Sequence, residues 1–377
     1  MARVSIQSVS KIFSGEKGGA ITAVKDLNLE IEDREFVVLA GPSGCGKSTI
    51  LRMIAGLAEI SQGDISIGEK QINQALPKDR EIAMVFQNST LYPHMSLFEN
   101  LAFGLKLRKF SKLEIKRRVT DAATILEIES LLDRKPGALS GLERQRAALA
   151  RAIVRQPKVL LLDDPLSSLD PESQVQMRSE IIKLHQRLQA TTIYAARNPF
   201  DAMALGDRII VLNQGVAQQT DPPHTLYDQP ANLFVAKFFG RPPINLVSGT
   251  LKADGDKIRF REIDGGTIEV AFPTAEATAA ESFIGKKVIL GIRPEDVEVA
   301  TFSRKEGRAA GIGFPAIIDL VEPMGADTNL HLQTGAHSII CRSQNAFDQR
   351  EAGRRMQFQI NLTKAHLFDP DSTNRLR

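Results

Sequence analysis

Short apolar runs at Val4–Val9, Thr22–Ile31, Glu35-Phe-Val-Val-Leu-Ala40 and Ile82–Phe86 punctuate the first part of the chain and predict strands. From Pro93 to about Arg155 the spacing turns helical. Three Ser-x-x-Glu boxes, Ser96 with Glu99, Ser111 with Glu114 and Ser140 with Glu143, mark candidate helix starts there. The continuous run Val159-Leu-Leu-Leu162 predicts a strand buried on both faces. Asp170-Pro171 then supplies a cap and a first helical residue for a helix to about Gln189, and Thr191–Ala195 predicts another buried strand. Strands alternating with helices in this way imply a parallel α/β sheet with a helical insertion. After Phe239-Gly-Arg-Pro-Pro243 the texture changes to short alternating segments such as Val288–Ile292, Phe314–Val321, Asn329–Leu332 and Ile339–Arg342. Turns such as Ala253-Asp-Gly-Asp256 and Asp264-Gly-Gly266 separate them. A small all-β domain of barrel type is expected there, dividing the chain into 1–239, with the insertion at about 88–155, and 240–377.

Length agrees with this division, because 377 residues exceed one comfortable hydrophobic core. The composition, 42% hydrophobic and 25% charged, is that of an ordinary soluble protein, and a net charge of +3 gives no reason to expect a nucleic-acid partner. No apolar run approaches the roughly 20 residues that span a bilayer, and Met-Ala-Arg-Val-Ser at the start lacks the apolar core of a signal peptide, so the chain is expected to stay in the cytoplasm. Cys45 and Cys341 offer neither a disulfide framework nor metal-ligand spacing. The basic run from Lys109 to Arg118 reads as a solvated helix face, and Glu295 and Asp296 as ordinary solvated charges.

Candidate chemistry begins at Gly41-Pro42-Ser43-Gly44-Cys45-Gly46-Lys47-Ser48-Thr49, which follows a predicted strand and precedes a predicted helix, Ile50–Leu57. Glycines at this spacing let the backbone turn its N–H groups onto phosphate oxygens, and a helix start adds unpaired donors. Lys47 is placed to neutralise the β/γ oxygens of a nucleoside triphosphate, and Ser48 to ligate Mg²⁺. Such a loop needs a carboxylate-bearing strand, and Leu160-Leu-Leu-Asp163-Asp164 supplies it: Asp163 for Mg²⁺, Asp164 for polarising the attacking water. Gln87, ending the strand Ile82–Phe86, is placed to reach both the metal and the water. Leu139-Ser140-Gly141 opens a helix and again aims backbone donors at an anion.

The order of these parts resembles the ATP-binding subunits of ABC transporters, in the branch that serves carbohydrate importers such as the maltose system. The resemblance rests on Gly41–Thr49, Met84-Val-Phe-Gln87, Leu91-Tyr-Pro-His-Met95, Leu139-Ser-Gly141, Leu166-Ser-Ser-Leu-Asp170, Leu226-Tyr-Asp-Gln-Pro230, Gly291-Ile-Arg-Pro-Glu295 and His366-Leu-Phe-Asp369, and so runs nearly end to end. It implies ATP and Mg²⁺ as cofactors, and ATPase subunits that close face to face as a homo- or heterodimer. Each nucleotide would lie between one chain's phosphate loop and the other chain's Ser140-Gly141. It further implies transmembrane permease subunits whose coupling helix docks in the cleft by Gln87, an extracytoplasmic solute-binding protein as an indirect partner, and a place on the cytoplasmic face of the membrane. Phe13 falls where the family puts the aromatic that stacks on adenine, a position a core phenylalanine would fit as well. Ser168 and Asp170 match the loop linking the two composite sites. The β domain could bind a regulator or widen the dimer interface.

Three departures from the family pattern bear on turnover. Leu142 and Glu143 replace a glycine and a glutamine after Ser140-Gly141. Asp164 stands where glutamate is usual, and Arg197 stands where a histidine is usual, with Asn198 for the following aspartate. Glu143 and Ser140 can satisfy each other as a capping box, which would weaken ATP-driven closure. A carboxylate one methylene shorter draws back from the water. Arg197 has no acceptor and stays cationic, so it cannot copy a neutral imidazole, although it could grip a γ-phosphate as a charged donor. Binding is therefore expected to outlast catalysis.

Overall fold

A computed structural model of the protein describes residues 2–14, 19–87, 90–273, 278–300 and 313–376. Positions 88 and 89, where the helical insertion was expected to begin, lie outside the described residues. Backbone contacts divide the chain into two units, 1–224 and 225–377.

The first unit holds a six-stranded sheet in the order Val216–Asp221, Arg208–Asn213, Phe36–Ala40, Thr191–Ala196, Val159–Asp163, Ile82–Val85. All pairings are parallel except the Arg208–Asp221 hairpin at one edge. The central strands Phe36–Ala40, Val159–Asp163 and Thr191–Ala196 are buried at every residue, which is why they read as largely apolar runs, broken only by Asp163 at one end and by Thr191 and Thr192. Val4–Ser14 and Ala20–Ile31, by contrast, leave the parallel sheet. They pair antiparallel with each other and, with Gln62–Ile67 and Lys70–Gln71, form a separate four-stranded sheet. One core cluster, containing Ile6, Leu27, Val37, Leu51, Ile65, Leu161 and Ile193, joins both sheets to the helix Lys47–Ala55.

The insertion contains the helices Leu97–Leu107, Lys112–Ile125 and Gly141–Ile153. Ser96 and Ser140 form complete capping boxes with Glu99 and Glu143. Ser111 caps the backbone N–H of Glu114, but the Glu114 carboxylate turns outward to Arg117 and Arg118, so this box is half made. Those ion pairs, with Asp121, spread the basic run over a helix surface.

The second unit is built of two five-stranded antiparallel sheets. Their orders are Glu269–Pro273, Lys257–Glu262, Asn245–Asp254, Lys287–Ile292, His366–Phe368 and Val297–Val299, Arg355–Ile360, Gly313–Pro323, Thr328–Gln333, Ser338–Ser343. They close nearly into a barrel around a shared core that includes Val247, Phe260, Leu290, Phe314, Leu330 and Phe358. The helix Leu233–Phe238 packs Leu233 and Ala236 onto Ile244 and Phe368. Arg293, 2% exposed, donates to the carbonyls of Ala236, Phe239 and Tyr227 and lies 3.9 Å over the Tyr227 ring. A buried guanidinium needs such partners, and it draws 225–239 into this unit, ahead of the change in sequence texture. Asp296 is likewise not a solvated charge: it is buried, and burial raises its pKa from the ordinary carboxylate value.

Candidate functional site

Phe36–Ala40 has parallel neighbours on both sides, pairing Ala40 with Ala196 and Val211, so the loop after it leaves the sheet at the carboxyl end of its strands. The loop passes so close to the next strand that a Cβ on Gly41 would lie 2.3 Å from the Leu212 carbonyl oxygen. Gly46, at φ 107, is the N-cap of the helix Lys47–Ala55, and among the described residues no side-chain cap closes that helix start. Its first turn carries no acidic residue. The helix therefore offers an anion its open donors and the positive end of its dipole. Lys47, 6% exposed, folds back along the loop, and its Nζ donates to the carbonyls of Gly41 (2.7 Å) and Pro42 (2.8 Å). Cys45 Sγ lies 3.5 Å from the same nitrogen.

Four strand ends converge on one cavity of about 220 Å³. Its walls are Ser43, Gly44, Gly46, Lys47, Ser48 and Thr49 from the loop, Gln87 from beyond Ile82–Val85, Asp163 and Asp164 from Val159–Asp163 and the residue after it, and Arg197 from beyond Thr191–Ala196. Ser48 Oγ donates to Asp163 Oδ1 at 2.7 Å. A hydroxyl joined to a carboxylate is an oxygen donor set that suits a small hard cation such as Mg²⁺, and beside open backbone donors and a lysine it fits a magnesium-bound triphosphate. Asp164, 5% exposed, sits at φ 50, a conformation aspartate tolerates better than most side chains. Its N–H donates to Ala195 O at 3.0 Å, and its carbonyl accepts from Ser167 Oγ at 2.9 Å. Burial pushes its carboxyl up to about 6, against the opposing pull of Arg197, whose Nε is 2.7 Å from Asp164 Oδ2 in an ion pair without hydrogen-bond alignment.

Ser167 stands within Leu166-Ser-Ser-Leu-Asp170, where the sequence reading assigns roles only to Ser168 and Asp170. Its Oγ also accepts from Gln87 Nε2 at 3.3 Å, so it ties Gln87 to the turn that carries Asp164. The signal was present as a serine three residues after Asp164, the spacing of a side-chain-bonded turn. Asp170 acts as the N-cap of Pro171–Leu188, accepting from Ser173 N at 3.0 Å and from Ser173 Oγ at 2.7 Å.

Phe13, Ser140 and Gly141 do not line the cavity. Phe13 is 42% exposed on the strand Val4–Ser14 with Lys11 Nζ 4.8 Å from its ring centre, which rules out the core-phenylalanine alternative. Ser140 is the N-cap of Gly141–Ile153: its Oγ accepts from Glu143 N at 3.2 Å, and its own N–H donates to Glu143 Oε2 at 2.7 Å. The Glu143 carboxyl lies below the ordinary value, chiefly through that backbone hydrogen bond, so this helix start carries a negative charge. A second cavity of about 360 Å³ beside Phe86 is walled by Tyr92, Phe103, Arg151 and Arg155, and burial lowers the pKa of both arginines.

Residues 24–167 match the ABC transporter family, 240–297 the MalK OB fold domain and 290–368 the TOBE domain. Over 377 residues the chain is 44% identical to the oligosaccharides import ATP-binding protein MsmX of Bacillus subtilis, covering 100% of both chains. It is 43% identical to the sn-glycerol-3-phosphate import ATP-binding protein UgpC of Yersinia pestis, covering 100% of this chain and 99% of that one. The uncharacterized ABC transporter ATP-binding protein YcjV of Escherichia coli O157:H7 is 44% identical over the full length of both. Among solved structures, a dimeric post-hydrolysis state of the ATP-binding cassette MJ0796 bound to ADP and Pi aligns with a TM-score of 0.53 and 30% identity, over 58% of this chain and 98% of that one.

Proposed function

Because this chain belongs to the ATP-binding subunits of ABC transporters, of the carbohydrate and polyol importer type, we propose that it binds and hydrolyses ATP to drive import of a sugar or polyol, with slowed turnover. The observation that carries this reading is the single cavity that gathers Lys47, Ser48, Gln87, Asp163 and Asp164. Gly41–Thr49 bind the phosphates through backbone N–H groups, and Lys47 turns from its two carbonyl partners toward the β/γ oxygens. Ser48, Gln87 and Asp163 hold Mg²⁺, which when bound neutralises phosphate charge. Asp164 takes the proton of the water whose oxygen bonds to the γ-phosphorus as the bond to ADP breaks. Phe13 stacks on adenine, and Ser140-Gly141 face the nucleotide held by a second ATPase subunit.

The coupling helix of a permease subunit docks in the cleft by Gln87, next in the chain to the cavity that Phe86, Arg151 and Arg155 wall. No helix among the described residues is long and apolar enough to cross a membrane. The protein works from the cytoplasmic face, held there by its permease partners, with a solute-binding protein acting indirectly through them.

The capping box at Ser140 favours a second reading, a nucleotide-gated subunit with little hydrolysis of its own, paired in a heterodimer with a fully equipped ATPase. Single-turnover hydrolysis with and without co-purified membrane subunits separates the two. The first reading expects turnover that rises on adding the permease; the second expects ATP-dependent pairing with a rate the permease leaves flat. A chain that retains no adenine nucleotide in either setting sinks both.

A further inference from the structure

Asp164 and Arg197, which the family resemblance marks as two departures, are brought into contact by the fold. The strands Val159–Asp163 and Thr191–Ala196 are parallel neighbours whose register sets Asp163 against Ala195. The backbone bond from Asp164 N to Ala195 O then locks the next residue of one strand to the end of the other. Arg197 leaves that second strand two residues after Ala195, and its Nε reaches the Asp164 carboxylate at 2.7 Å. The carboxylate is 7% exposed and the guanidinium side chain 43%, so the acid is fixed in the wall while the cation extends into the cavity shared with Lys47.

A side chain one methylene shorter than glutamate leaves a gap of about 1.5 Å. An arginine is longer than a histidine and can span it. The planar fork can hold a carboxylate through one nitrogen and still present two more, where an imidazole bound to the same acid has one ring nitrogen left and a shorter reach. Among the described residues, the Nη groups of Arg197 have no hydrogen-bond partner, and the residue lines the same cavity as Lys47 and Ser48.

Resting on the ATPase reading above, we propose that Arg197 is the positioning residue for Asp164 and that the two substitutions form one exchanged unit, each working only in the presence of the other. The departures at 164 and 197 are then a relocated acid–cation pair, not two separate injuries to the site. Glutamate placed opposite Arg197 overfills the space and is pulled off the water. Histidine placed opposite Asp164 falls short and leaves a buried carboxylate without a counter-charge.

The test is a mutant cycle on the full-length chain with wild type, Asp164→Glu, Arg197→His and the double variant, measuring kcat and KM for Mg-ATP, binding of a fluorescent ATP analogue, and the thermal midpoint. Each single variant is expected to lower kcat by about tenfold, and the double to return to the wild-type rate or above it, a non-additivity in the range contacting residues show. Nucleotide affinity should change less than kcat in every variant, because the phosphate loop is untouched. Arg197→Lys, which keeps a cation but not the fork, should fall between wild type and Arg197→His. Single variants that each raise kcat, with effects that multiply in the double, overturn the proposal. So does a lysine variant no better than histidine, or a wild type and double variant that both bind nucleotide and turn over nothing. Failure of the wild type to bind nucleotide would refute the ATPase reading itself and appears in the binding arm alone.

Discussion

Two helix starts in the first unit, both proposed to meet nucleotide phosphate, are built in opposite ways. The helix Lys47–Ala55 begins at Gly46 with no side-chain cap and no acid in its first turn. The helix Gly141–Ile153 begins at Ser140 with a complete capping box and Glu143 in its first turn. Unfilled donors at a helix start cost stability unless water or a ligand takes them, so an open start beside a lysine is arranged for an anion, and the neighbouring aspartates suit a cation that comes with it. A filled start is stable on its own and has little left to offer a phosphate. The contrast gives a physical basis for expecting this chain to hold nucleotide well and to close on a partner's nucleotide weakly.

Removing what the open start depends on should have the largest effect. Lys47→Ala takes away the only cation of the phosphate loop and should lower turnover by about 100-fold or more, with nucleotide binding by fluorescent analogue lost in parallel. Retained binding would mean that the backbone donors suffice alone. Next in size is Gly46→Ala. At φ 107 an L side chain is strained, and its Cβ would lie 2.6 Å from the Ala23 carbonyl oxygen and 3.3 Å from Val24 Cγ2. A cost of about 1–3 kcal/mol is expected, read as a lower midpoint in urea, with poorer nucleotide binding even where the chain folds. Ser140→Ala acts on the filled start and should cost about 1 kcal/mol of stability while leaving nucleotide affinity unchanged. An equal loss of affinity would erase the contrast between the two ends.

The open start was readable from the chain because everything that makes it is local: a buried strand, glycines at fixed spacing, a lysine and a hydroxyl within nine residues. The Ser140–Glu143 box was readable for the same reason. The Ser111–Glu114 box was only half readable, since Arg117 and Arg118 compete for the carboxylate and the sequence does not rank them. What the sequence could not give was partnership set by register. Asp164 meets Arg197 because two strands far apart in the chain align Asp163 with Ala195, and Gln87 meets Ser167 across the same sheet edge. The separate antiparallel sheet escaped for a related reason, as Val4–Ser14 and Ala20–Ile31 look like strands without declaring their partners. Burial of Asp296 and Arg293 depends on folding of the second unit and has no local sign.

The smallest expected effect isolates charge from geometry. In Glu143→Gln the amide oxygen can still accept from Ser140 N, as glutamine does in a capping box, so the helix start should keep its shape while losing its negative charge. A carboxylate at a helix start opposes phosphate through the same dipole that stabilises it there, and the interaction is screened at an exposed site. Turnover at saturating ATP should therefore rise only about two- to fivefold, the range that a terminal charge of this kind commands, and the gain should shrink as salt is raised. Thermal stability should fall slightly, because the charge that hinders phosphate also favours the free helix end. A variant that is slightly less stable and faster, with the difference fading in high salt, would show that the two helix starts differ by a charge. A variant unchanged in rate would show that Leu142 and the hydrogen bonds of the box are what close the second start.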